Sequence, residues 1–177
     1  MIKNKIVKAG SSTACLLTID FSNDIPILKS TNLGDSGYIV ISRDYKIKQK
    51  TKEQQHFFNA PFQLSVVPET MKSRGSIMDK AEDSEEKELN LELGDYIVLS
   101  TDGLFDNVSD SEIIQIIQAQ EKEDTIENIS TELVKLAEKK SKSETNETPF
   151  SLSARKAGYH FRGGKVDDIT VIVVKVQ

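Results

Sequence analysis

The sequence is short of the residues from which several common sites are made. It holds one cysteine, Cys15, which excludes an internal disulfide framework and any zinc site built on cysteines. On a β-prone run Cys15 reads as a small buried apolar side chain, and the compartment as a reducing, intracellular one. Histidine occurs only at His56 and His160, and neither has a partner at metal-ligand spacing, so both read as structural or surface residues. No window approaches the roughly 18 consecutive apolar residues of a membrane span. The opening MIKNKIVKAGSS has three lysines, no arginine and no long apolar stretch, and neither a secretory signal nor a transit peptide is legible in it. Gly-x-Ser-x-Gly, the P-loop and the kinase signatures are also absent, which excludes a nucleophile elbow and the common nucleotide cradles. Cations are in deficit, with 23 Lys and Arg against 28 Asp and Glu and a net charge of −5. Phosphate-rich partners need clustered basic side chains, so nucleic acid and anionic membrane are not expected as partners, whereas cations suit the chain.

What is present suffices for one domain over residues 1–177, with 37% hydrophobic residues and no internal repeat. Short β-prone runs at Thr13–Asp20, Ile27–Asn32, Tyr38–Ser42 and Lys46–Gln49, separated by turn residues, predict an antiparallel meander. NAPFQLSVVP reads as a loop with one extended segment, and the charged, mixed-sign stretch 69–90 as an exposed polar loop. LELGDYIVLST resumes the β pattern. Ser109 and Glu112 form a capping box that predicts a helix through Gln118. Asp124 with Glu127 predicts a second helix, with Ile126, Ile129, Leu133 and Leu136 on one stripe. Residues 140–150 read as a second polar loop, and the β-branched ITVIVVKV as a closing strand. Strands first, then helices, then a strand give an α+β class with a mostly antiparallel sheet.

Acids recur where strands end: Asp35 in NLGDSG, Asp102 and Asp106 in STDGLFD, and Asp167 and Asp168 in GGKVDDIT. Aspartate is an ordinary turn former, so each alone is weak evidence. Strands of one sheet can gather their ends, however, and carboxylates gathered there repel unless a cation neutralises them. With no cluster of Cys or His, the suitable ion is hard, Mg²⁺ or Mn²⁺. The RGGK stretch admits two readings: a backbone nest for anions in which Arg162 or Lys165 contacts a substrate phosphate, or a tight turn before the last strand.

GSSTACLLTID, NLGDSGYIVISRD, LSTDGLFDNVSD and GGKVDDITVIVVKV, in this order, resemble the metal-dependent protein phosphatase 2C (PPM-type) family. KEQQHFFNAPFQLS is similar to the subgroup of the mitochondrial phosphatase of yeast and animals. The resemblance implies an antiparallel β-sandwich flanked by helices with a two-metal Mg²⁺ or Mn²⁺ centre at its edge. It implies that a metal-activated water dephosphorylates phosphoserine or phosphothreonine in a phosphoprotein substrate. By motif, Asp102 and Asp167 would be ligands of the second metal, with Asp35 and Asp106 joining Asp102 around a third. Asp167-Asp168 stands where the family usually has Asp-Asn. The family's upstream Asp-Gly-x-Gly-Gly segment has no counterpart, since the only Asp-Gly here is Asp102-Gly103. The expectation is a C-terminal portion of the domain, its N-terminal part missing and the first metal site incomplete. The alternative is a weak or inactive fragment serving as an interaction or cation-binding module. Mitochondria are implied only through the subgroup.

Overall fold

The strongest β-formers in the chain end up at its centre. The computed structural model describes residues 8–22, 24–71, 77–123 and 125–177. β1 (Gly10–Ser12), β2 (Ala14–Asp20), β3 (Ile27–Leu33), β4 (Gly37–Ile41) and β5 (Ile47–Lys50) come first. The short β6 (Gln55–Phe57), β7 (Ala60–Pro61) and β8 (Leu64–Val66) follow, then β9 (Glu85–Asn90) and β10 (Tyr96–Ser100). Helices α1 (Asp102–Phe105), α2 (Asp110–Lys122), α3 (Ile129–Ser141) and α4 (Pro149–Lys156) precede the last strand, β11 (Val171–Lys175). Two antiparallel sheets, ordered β11-β10-β4-β5 and β2-β3-β9, carry the architecture, and the α+β expectation holds. No described helix is long and apolar enough to cross a membrane.

Strand β4 explains the layering. Its five residues are all buried, because its two faces serve two cores. Tyr38 and Val40 meet Leu28 of β3 and Ile97 of β10 between the sheets, joined by Cys15, Leu17 and Ile19 of β2. Ile39 and Ile41, with Val98, face the helices. There Ile113 and Ile117 of α2 and Ile129 and Leu133 of α3 are fully buried, each worth about 1.5–3 kcal/mol of burial. Across the sandwich the Ser30 and Tyr38 hydroxyls meet at 2.7 Å, satisfying two buried polar groups. The capping box at Ser109 forms as expected: its hydroxyl accepts the Glu112 N–H, and Glu112 accepts the Ser109 N–H at 2.9 Å.

Four expectations need correction. β3 and β4 are not hairpin partners; the NLGDSG turn carries the chain from one sheet to the other, so the meander breaks there. The stretch 69–90 is not wholly loop, because Glu85–Asn90 pairs with β3 along its edge. Its exposed side chains, such as Glu86 and Glu88, alternate with Lys87 and Leu89, and backbone pairing compensates for poor β propensity. The 140–150 stretch ends in a helix start, with Thr148 accepting the Ser151 N–H at 3.2 Å and Pro149 in the first turn. The second helix begins at Ile129 after a 3₁₀ turn at Ile126–Asn128, and the proposed cap Asp124 lies outside the described residues.

Candidate functional site

Register gathers the acids. β10 pairs with β4 and β11 on its two sides, placing Ser100 opposite both Gly37 and Val171. The turn holding Asp35, helix α1 with Asp102 and its C-cap Asp106, and the Lys165–Asp168 segment therefore all lie just beyond one end of one sheet. Side chains lock this corner. Ser100 Oγ donates to the Thr170 carbonyl at 2.6 Å, and Thr101 Oγ1 donates to the Asp168 carbonyl at 3.1 Å while accepting the Thr170 N–H at 3.2 Å.

Gly103 is required by proximity. A Cβ there would stand 2.5 Å from the Asp168 carbonyl oxygen, well inside van der Waals contact. Asn107, fully buried, ties the same pieces together: its amide donates to the Gly103 and Lys165 carbonyls, each at 2.9 Å, and accepts the Lys165 N–H at 3.0 Å. The glycines of RGGK pack on the end of α3, where a Cβ on Gly164 would stand 2.1 Å from the Lys140 carbonyl oxygen. Gly164 N–H donates to the Ser143 carbonyl at 2.8 Å. The RGGK backbone thus serves close packing that delivers Lys165 to the acids.

Lys165 Nζ lies 2.5 Å from Asp102 Oδ2, 2.8 Å from Asp106 Oδ2 and 3.3 Å from Asp167 Oδ2. The Phe150 ring covers the ammonium at 5.3 Å. Burial pushes the Asp106 carboxyl up to about 7, with the Lys165 hydrogen bond opposing the shift. Burial, and then the Asp102 charge, raise Asp35 to about 6. Burial disfavours charge on Lys165, but hydrogen bonds to Asp102 and Asp106 outweigh it and hold the ammonium above the usual lysine range.

The expected residues are thus distributed unevenly. Asp102, Asp106 and Asp167 share one cation. Asp35 is within electrostatic reach of Asp102 and Lys165, and lines a small cavity with Asp106 and Glu53. Asp168 contributes its backbone to the corner and exposes its side chain. Lys165 is engaged by carboxylates, whereas Arg162 lies on the exposed rim beside Arg155. His56 stacks on Phe62 at 4.3 Å and bonds Asp79 at 2.9 Å, a structural role. Cys15 is partly buried, and burial pushes its thiol up to about 11. Sequence reasoning missed Asn107, Glu53 and Thr101; the place of Asn107 directly after Asp106 in STDGLFDN is the only signal for the first.

Among the described residues no group of three or more acids, histidines or cysteines is arranged to hold a metal ion. The donors nevertheless have the chemistry of a hard-cation site: three carboxylate oxygens, no sulfur and no imidazole, already closed on a positive charge.

The protein phosphatase 2C family profile matches residues 73–146. A Drosophila grimshawi protein, protein phosphatase PTC7 homolog fig, is 41% identical over 172 residues, covering 95% of this chain and 55% of that protein. The human protein phosphatase PTC7 homolog is 35% identical over 176 residues, covering 98% of this chain and 56% of that one. The chain spans about half the length of the curated relatives it matches. Among solved structures, the photosystem II phosphatase PBCP matches with a TM-score of 0.80 and 32% identity, over 96% of this chain and 65% of that one.

Proposed function

Because the chain is a relative of the protein phosphatase 2C enzymes, we propose that it serves metal-dependent hydrolysis of phosphoserine and phosphothreonine in proteins. One observation carries the reading: Asp102 and Asp106 from one side of the sheet end and Asp167 from the other close on a single positive charge. Mg²⁺ or Mn²⁺ would be held by Asp102 and Asp167, with Asp35 and Asp106 on the neighbouring side and Asp168 adjoining. Such an ion, when bound, supplies an acidified water and neutralises phosphoryl oxygens.

The chain's own residues have definable roles in this reading. Thr101 and Asn107 fix the backbone that carries the acids. Lys165 neutralises them and keeps three carboxylates within contact of one point. Phe150 shields that point from water on one flank. Arg162 offers a cation to an anionic substrate at the rim. The substrate is a phosphoprotein, and the subgroup resemblance extends the proposal to the mitochondrion.

The test pairs Mn²⁺ titration calorimetry with release of inorganic phosphate from a phosphoserine peptide. Asp102→Ala is expected to weaken Mn²⁺ binding more than Asp106→Ala, and to remove Mn²⁺-dependent phosphate release. Mn²⁺ binding without release, in conditions where a full-length relative turns over, assigns the chain the cation-binding role instead. No Mn²⁺ binding by the wild-type chain contradicts the metal reading outright.

A further inference from the structure

A second feature adjoins the acids and has the opposite charge. From Arg155 to Lys165 the chain reads RKAGYHFRGGK, four cations and a histidine without one acid, in a chain of net charge −5. Two cavities of about 490 and 250 Å³ open along this stretch, and Arg155, Phe161 and Arg162 wall both. Tyr159 and His160 complete the larger one. Arg155 reaches Glu147 at 2.5 Å across exposed surface, a pair that water screens heavily. Lys156, His160 and Arg162 are exposed and form no ion pair with a described residue.

The cleft is also joined physically to the acid cluster. Phe161 packs edge-on against Phe150 at 5.0 Å, and Tyr159 stacks on Phe58 at 5.1 Å, which in turn lies 5.3 Å from Phe150. Phe150 bears the Lys165 ammonium on its face. The Phe161 ring on the cleft wall therefore lies within about 10 Å of the Lys165 ammonium that the acids hold, roughly three residues of extended peptide.

We propose that this cleft docks acidic or phosphorylated side chains that flank the residue being dephosphorylated, a reading that rests on the phosphatase function above. Arg162 supplies a planar fork suited to carboxylate or phosphate, Arg155 adds to the positive field, His160 offers a ring N–H donor, and the exposed rings of Tyr159 and Phe161 pack the peptide between its charges. Substrates with acids about three residues from the phosphorylated position bind more tightly than those with neutral neighbours. A peptide is favoured over nucleic acid because the basic surface is confined to one short cleft of an acidic protein and opens beside the candidate phosphoryl site.

The experiment is fluorescence anisotropy on the full 177-residue chain with four peptides: phosphoserine with acidic or neutral flanks, and serine with the same two flanks. Arg162→Glu is expected to weaken both acidic-flank peptides by about tenfold or more relative to their neutral-flank counterparts, and Arg162→Ala by less. Added salt weakens acidic-flank binding in the wild type. Because Arg162 is exposed and forms no ion pair with a described residue, an unchanged circular dichroism spectrum separates binding from folding. Arg162→Glu binding acidic-flank peptides as the wild type does overturns the proposal, as does an RNA oligonucleotide binding through Arg162 while no peptide does. If the flank effect stands but phosphoserine and serine bind alike with Mn²⁺ present, the cleft is upheld and the phosphatase reading fails.

Discussion

Asn107 and Lys165 exchange two hydrogen bonds through a buried side-chain amide, which stands in for a strand pairing between the α1 turn and the segment before β11. The same amide caps the Gly103 carbonyl at 2.9 Å. Asn107→Ala would leave three backbone groups without partners in a site too buried for water to replace them freely. The expected loss is about 2–4 kcal/mol of unfolding free energy, measured in urea. Because the Lys165–Asp168 segment is released as well, Mn²⁺ affinity measured by calorimetry should fall although no carboxylate is removed. Unchanged affinity in a folded variant would show that the acids are positioned without the amide.

Gly103 sets the distance between the two halves of the acid cluster. In Gly103→Ala the new methyl meets the Asp168 carbonyl at 2.5 Å, so the backbones must separate by about an ångström. Overpacking of this kind costs about 1–3 kcal/mol. Thermal unfolding should show that loss, and the Thr101 to Asp168 hydrogen bond should break with it. A variant with wild-type Tm and Mn²⁺ affinity would mean the corner is more yielding than its contacts suggest.

Much of this was legible in the sequence, for reasons that are local. IVLST and ITVIVVKV read as strands because β-branched residues dominate them. The capping box at Ser109 needed only residues three apart. What was not legible depends on partners far along the chain. β3 and β4 are each good strands joined by a short turn, and nothing local says that they enter different sheets. β9 exists because β3 offers it an edge, not because EEKELN favours a strand. The ion pairs of Lys165 were not legible, because two of its three acids lie about sixty residues away in the chain. Asp168, beside Asp167 in sequence, turns its side chain to solvent.

Removing the ammonium should expose the repulsion it relieves. Lys165 and Asp106 are 19% and 13% exposed at the side chain, so the pair is largely shielded from water. Lys165→Met keeps the packing on Phe150 but leaves Asp102, Asp106 and Asp167 without their counter-ion. Without added metal the variant should lose roughly 3 kcal/mol. Mn²⁺ should then stabilise the variant more than the wild type, because the ion no longer competes with a tethered charge. Paired thermal scans with EDTA and with Mn²⁺ test both statements. Equal stability of variant and wild type in EDTA contradicts the counter-ion role.

A second ion pair sets the acid limb of stability. Glu121 on α2 accepts from Lys175 Nζ at 2.7 Å and from the Tyr45 hydroxyl at 2.5 Å, tying the helix layer to β11 and to the turn before β5. The Lys175 hydrogen bond, followed by that from Tyr45, holds the Glu121 carboxyl down at about 2. A depressed folded pKa means that the unfolded chain takes up a proton first. The contribution is therefore complete above the ordinary glutamate value near 4.5 and is lost as pH falls through about 2. With the side chain 30% exposed, screening leaves on the order of 1 kcal/mol. Glu121→Gln should accordingly be less stable than wild type at neutral pH, with the gap closing across that acid window. Urea titrations at stepped pH read the gap directly, and a difference that persists unchanged to pH about 2 would assign it to packing instead of charge.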